Sequence, residues 1–282
     1  MPMISGKRVI AAMLTALMAV TFTANTAVSV YATGVTATEN AQTIDAQSTD
    51  AQALTPEEQK AQELQQVYDM PVESNGYKDW PQGPGTYGEA GIVMEVGTGA
   101  ILYAKNIDAH EYPASITKVL TALVALENGQ LTDNVTFSHD SVAFLQRGDS
   151  SVGLKEGNVI TLDQAMHAML LASANEAAYA IGESVGVNAG HDYNWFIEQM
   201  NSRCKELGGE NSNFANTNGL HDPNHYTCAR DMALIGRELF KHPEFFQIVQ
   251  TLNYTIPASE TTEEHVFHQK HKMLHILYEE YG

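Results

Sequence analysis

The stretch YPASITKVLTALVALENG, Tyr112 to Gly129, decides how the rest of the chain is read. From Val119 onward it is apolar, helix-forming material, and a serine at the head of such a run is a favoured N-cap. Ser115 and Lys118 are also three residues apart, which on a helix puts them on one face about a turn apart. That spacing brings a nucleophile within reach of a base. A serine hydroxyl is a weak nucleophile until a base takes its proton. A lysine can take it only when desolvation or neighbouring cations lower its pKa. The apolar run would bury the helix and help dry the site, and free N–H groups at a helix start suit a developing oxyanion. Ser-x-x-Lys alone arises by chance in chains of this length, so cap and catalyst both stay open at this point.

A second interruption lies in LLASANEAAYAI, where Ser173 and Asn175 break an apolar helical run that would favour Ala or Leu. They read structurally as the end of one helix and the start of the next, and functionally as side chains presented to a cleft. Around these two motifs the order of elements is legible. AGIVMEV and AILYAKN flank Gly97-Thr98-Gly99 as a hairpin. NVTF and SVGLKEGNVI are strand-like, NWFIEQMNSRCKELGG is an amphipathic helix closed by Gly208, and TCARDMALIGRELFKH is another. FQIVQTLNYTIPAS reads as a strand. Hairpin, helices and strand again predict an α+β domain with an antiparallel sheet and a helical cluster.

PASITKVLTAL, SANEAA, MNSRCKELG and FANTNGLHDPNHYTCARDMALI follow one another in the order and approximate spacing of serine-type D-alanyl-D-alanine carboxypeptidases, the low-molecular-mass penicillin-binding proteins. From about Gly88 onward the chain resembles that family, GIVMEVGTGAILYAKN being similar to its opening hairpin. The resemblance implies the penicillin-binding, β-lactamase-like serine peptidase fold. It makes Ser115 the acylated nucleophile, Lys118 its general base and Ser173 a proton relay to the leaving group. Asn175 becomes a partner for Lys118 and the substrate amide, and NTNGL (Asn216 to Leu220) a structural turn with a packing role. The implied partners are peptidoglycan stem peptides, with β-lactams as covalent inhibitors, and neither metal nor organic cofactor is required.

The family's third element, a Lys-Thr-Gly strand, has no match in these 282 residues, and Gly97-Thr98-Gly99 lacks the cation. The expectation is a chain cut short before that strand, a fold incomplete at the C-terminus, and the family's usual carboxy-terminal amphipathic anchor absent. Two other functions stay in view: an inert cell-wall peptide binder, and a class A-like β-lactamase. The latter usually shows Ser-Asp-Asn where this chain has Ser-Ala-Asn, and needs a Glu-x-x-Leu-Asn setting not found here.

The remaining signals bound the setting. A formal charge of −19 argues against nucleic acid as a partner. Lys7 and Arg8 precede the apolar run VIAAMLTALMAV, too short to span a bilayer, and Val30-Tyr31-Ala32 offers a cleavage site. Residues 1–32 are thus expected to be a signal peptide, with an uncleaved anchor as the alternative, and the mature protein to work outside the cytoplasm. Residues 33–54 read as a disordered, low-complexity spacer. Residues 55–87 follow as a short helix, capped by Thr55 with Glu58 at the box position, and a Pro/Gly-rich lead-in to the domain at 88–282. Cys204 and Cys228 have the parity for one bridge but no framework spacing, and read as two separate small core residues. His265, His268, His271 and His275 would share a helical face, yet no His-Glu-x-x-His pattern accompanies them and no metal is assigned. His221 and His225 read as polar surface, and Glu176 as a helix-dipole partner.

Overall fold

Thr55, Pro56 and Glu58 start the first described helix as their sequence asks. In this computed structural model, which describes residues 54–271 and Leu274, α1 runs over Pro56–Tyr68. The Thr55 hydroxyl accepts from the Glu58 N–H and the Glu58 carboxylate returns the bond to Thr55. The expected signal peptide, all of the spacer but Leu54, and His275 lie outside the described residues. Among the described residues no helix is long and apolar enough to cross a membrane.

The hairpin forms as read: β1 (Gly91–Met94) pairs antiparallel with β2 (Ile101–Lys105). The lead-in lies along the outer edge of β2. Trp80 Nε1 donates to Leu102 O at 2.9 Å, Ala104 N donates to Ser74 Oγ at 3.2 Å, and Asn106 N donates to Glu73 Oε1 at 3.0 Å. Lys105, buried at the end of β2, donates from Nζ to Val67 O at 2.6 Å and Thr86 O at 2.7 Å. It fastens α1 and the Pro/Gly loop to the hairpin by two carbonyls, and burial holds its pKa below the ordinary lysine value.

A one-turn 3-10 segment, Ala114–Ile116, leads into α2 (Thr117–Asn128). Leu120 to Ala125 are all buried, so the middle of α2 is enclosed on every side and forms the central rod of the domain. β3 (Asn134–Thr136) pairs antiparallel with β4 (Val159–Thr161), with the short α3 (His139–Ala143) between them. Then come α4 (Leu162–Ala172), α5 (Asn175–Asn188) and α6 (Tyr193–Glu206). α7 (Ala229–Leu239) and α8 (Pro243–Val249) follow. β5 (Asn253–Ile256) and β6 (His265–His268) close the order as a third antiparallel pair. The main core joins α2, α4, α5, α6 and α7 through Leu123, Met166, Ile181, Phe196 and Ile235. Each large apolar side chain so buried contributes about 1.5–3 kcal/mol. Small residues let α5 sit close to the loop before α7: a Cβ on Gly182 would lie 2.8 Å from Thr217 Cγ2.

Three expectations are corrected. FQIVQTLNYTIPAS is not a strand throughout. Pro243 opens a helix, Phe245 and Ile248 turn one face to the core, and only Asn253–Ile256 is extended. A short apolar run of this kind fits either period. Of SVGLKEGNVI only its last residues enter β4, while residues 151–153 are held by a carboxylate described below. His265 and His268 lie on strand β6 rather than on a helix, and no metal-binding group of His, Cys, Asp and Glu is present among the described residues. The antiparallel pairing expected is present, as three separate two-stranded pairs among the described residues. Cys204 and Cys228 are buried free thiols, as read, and burial pushes them up to about 11 and about 12.

Candidate active site

Ser115 is not a helix cap. It sits in the 3-10 segment, Ile116 occupies the cap position of α2, and no side chain caps that helix. The preceding residue, Ala114, has φ +47°, a left-handed conformation unusual without glycine. The kink turns Ser115 outward, exposed, while Lys118 lies buried behind it.

The two motifs converge. Lys118 Nζ is 3.0 Å from Ser115 Oγ and donates to Asn175 Oδ1 at 2.8 Å and to Asn218 O at 2.7 Å. Ser173 Oγ donates to Ser115 Oγ at 2.9 Å. Ser173 ends α4 with φ +60°, a second left-handed non-glycine residue, so both serines are presented by strained backbone. Strain of this sort is retained where surrounding structure over-determines it. Here Asn175 N donates to Ser150 O at 2.9 Å and Ala174 N to Ala168 O at 3.2 Å, pinning the turn on both sides.

Burial lowers the Lys118 ammonium from 10.5 to about 7, Glu176 opposing and Lys270 assisting. A neutral amine has two N–H donors and one lone pair. With Asn175 Oδ1 and Asn218 O taking the donors, the lone pair is directed at the Ser115 hydroxyl. This arrangement can remove the proton of a nucleophilic serine near neutral pH.

Three contributions were not legible. Asn216 to Leu220, read as packing, also supplies the Asn218 carbonyl to Lys118 Nζ, a buried amine that needs a second acceptor. Gly219 allows the approach: with φ +82°, a Cβ there would lie 1.7 Å from Ala114 O. Glu176 stands in the first turn of α5, as the dipole reading asks, and is also fully buried. Its Oε1 accepts from Ser151 Oγ at 2.7 Å, Val152 N at 2.8 Å and Gly153 N at 3.2 Å, tying that loop beside the site. His225 is buried rather than surface, because the loop that carries it folds beneath α2. Only His221 keeps to the rim, edge-on to the exposed Tyr112 at 4.9 Å.

A family profile described as D-alanyl-D-alanine carboxypeptidase, Peptidase S11, matches residues 81–278. The chain belongs to that family. Among curated members of the family, D-alanyl-D-alanine carboxypeptidase DacA of Haemophilus influenzae is 34% identical over 170 residues, 58% of this chain and 42% of its own length. DacF of Bacillus subtilis is 32% identical over 168 residues, 58% of this chain and 41% of its own. The chain thus spans less than half the length of these relatives. Among solved structures, a Streptomyces DD-transpeptidase superposes with TM-score 0.58 at 27% identity, covering 64% of this chain and 72% of that one. A D-alanyl-D-alanine carboxypeptidase from Mycobacterium tuberculosis gives TM-score 0.60 at 26% identity, covering 73% and 74%. The α+β peptidase fold expected from the motifs is therefore the fold of this chain.

Proposed function

We propose that the protein is a serine DD-carboxypeptidase of the bacterial envelope, removing the terminal D-alanine from peptidoglycan stem peptides. The observation that carries this reading is the buried Lys118 amine, held by two acceptors and aimed at an exposed serine 3.0 Å away. In the proposed reaction Ser115 Oγ attacks the carbonyl between the two terminal D-alanines as its proton passes to Lys118. Asn175, its Oδ1 held by Lys118, is left with Nδ2 to donate to the substrate amide. Collapse of the tetrahedral intermediate breaks the C–N bond. The proton travels from Lys118 by way of Ser173 to the leaving amine, and D-alanine departs. Water, deprotonated by the same lysine, then hydrolyses the ester and restores Ser115. β-Lactams would acylate the same oxygen by ring opening. No metal or organic cofactor enters this scheme. Export behind residues 1–32 would place the enzyme with its substrate outside the cytoplasm.

The test is labelling with a fluorescent penicillin and mass analysis of the product. One equivalent of stable adduct on Ser115, lost in Ser115→Ala, supports the reading. Rapid turnover of the antibiotic would assign a β-lactamase. No adduct on a folded chain would assign a binder of cell-wall peptide. Release of D-alanine from a stem-peptide mimic identifies the hydrolytic activity itself.

A further inference from the structure

Behind the nucleophile lies a histidine that no step above uses. His225 is 2% exposed, and both of its ring nitrogens are engaged. Ala215 N donates to Nδ1 at 3.0 Å. An N–H facing Nδ1 requires a lone pair there, so the neutral ring carries its proton on Nε2. Nε2 lies 2.7 Å from Thr117 Oγ1 and donates to it. Phe214 meets the ring edge-on at 5.6 Å and 88°, which fixes its plane.

Thr117 is fully buried and sits between Ser115 and Lys118 in sequence. The loop that carries His225 reaches α2 and the 3-10 segment before it at three other points. Asn218 O accepts from Lys118 Nζ at 2.7 Å, Thr217 O accepts from Thr121 Oγ1 at 2.7 Å, and Gly219 lies against Ala114 O. The first and last of these bracket the nucleophile and its base, and the contact at Thr117 lies between them.

We propose that His225 is a positioning residue for the Ser115–Lys118 pair: its Nε2–H holds Thr117, and through Thr117 keeps the Asn218 carbonyl and the Ser115 hydroxyl in register about Lys118 Nζ. The proposal rests on the acylation chemistry proposed above, although the linkage it describes can be measured apart from it. A protonated ring would set an N–H against the Ala215 N–H, two donors face to face. Burial also holds the imidazole down to about 4, with Asp222 acting the other way, so the ring stays neutral while Lys118 titrates.

The experiment compares His225→Phe, Thr117→Val, their double variant and His225→Gln in the full chain. The readout is the rate of Ser115 acylation by fluorescent penicillin. Displacing a base by about 1 Å costs on the order of 100-fold, which is the loss expected in either single variant. The double variant should lose no more than the worse single, since both remove one linkage. Gln offers both a donor and an acceptor and should recover at least about tenfold of the loss. Phe preserves the ring packing, so a folded His225→Phe that acylates at the wild-type rate overturns the proposal, as do losses that multiply in the double variant. If His225→Phe does not fold, Thr117→Val alone must still show the loss with His225 intact.

A second readout does not depend on acylation. Imidazole ¹⁵N shifts should report His225 protonated on Nε2 and not on Nδ1 at neutral pH, and a ring protonated on Nδ1 overturns the assignment. The Lys118 titration midpoint, followed by its ¹³Cε shift, should rise by more than about one unit in Thr117→Val as water reaches the amine. An unchanged midpoint overturns the proposal. A wild-type chain that takes no label, but shows the Nε2 tautomer and this shift, would instead refute the function proposed above.

Discussion

Acylation of Ser115 is expected to follow the titration of Lys118, and the size of the effect can be worked from its burial. At pH 7 a lysine with the ordinary value of 10.5 is neutral about once in three thousand molecules, whereas one lowered to about 7 is neutral in about half. Burial therefore raises the population of usable base about a thousandfold. The labelling rate with a fluorescent penicillin should climb about tenfold per pH unit below pH 6 and level off above pH 8. Lys118→Arg, whose guanidinium does not deprotonate, should lose at least about a thousandfold at every pH. The same shift has a stability cost of definite sign. The folded value lies below the unfolded one, so the unfolded chain binds the proton first as pH falls. Stability is lost between about 10.5 and about 7, where the penalty reaches about 5 kcal/mol. Wild-type protein should gain about 3 kcal/mol against urea from pH 7 to 9.5 relative to Lys118→Met, in which this term is absent. A labelling rate flat from pH 5 to 9, or an inflection above pH 9, would refute the buried-base reasoning.

Other perturbations follow from contacts around the site. Glu176→Ala strands the Ser151, Val152 and Gly153 donors and should cost about 3 kcal/mol in urea unfolding; Glu176→Gln, which removes a charge that raises the Lys118 pKa, should move the labelling inflection to lower pH. Gly219→Ala forces a Cβ into Ala114 O at positive φ and should abolish labelling or destabilise the chain by more than about 3 kcal/mol, read by thermal melting. Lys105→Met leaves the Thr86 carbonyl without its ammonium donor and Val67 O with only backbone donors such as Met70 N at 3.3 Å, at about 1–3 kcal/mol. Limited proteolysis should then cut residues 54–87 faster while Ser115 still labels.

Ser115, Lys118 and the Ser-Ala-Asn turn were legible as candidates because each is a residue type at a fixed spacing. The Asn218 carbonyl was not, since every residue carries one and no letter marks which oxygen faces the base. The burial of Glu176 was not legible and His225 was misread, for a related reason. A carboxylate at a helix start carries no mark of burial, a histidine in a Gly/Pro-flanked loop reads as surface, and only tertiary packing buries them. The hairpin, α6 and α7 showed their periods, and α4 and α5 their helix-forming residues, whereas α8 did not, because PEFFQIV is too short for period to separate helix from strand. Ser173 and Ala114 carry positive φ without glycine, so their turns lacked the usual marker.

The lead-in meets β2 with side chains, and that choice gives the hairpin a direction. Leu102 O, Ala104 N and Asn106 N are each satisfied by Trp80, Ser74 or Glu73, none of which offers a further ladder to its own far side. One border of the pair is thus terminated chemically without being extended. Among the described residues β1 has β2 as its sole strand neighbour. Any strand that joins this sheet, from the same polypeptide or from another, must therefore dock along β1, so that a single border governs both completion of the sheet and mispairing between molecules.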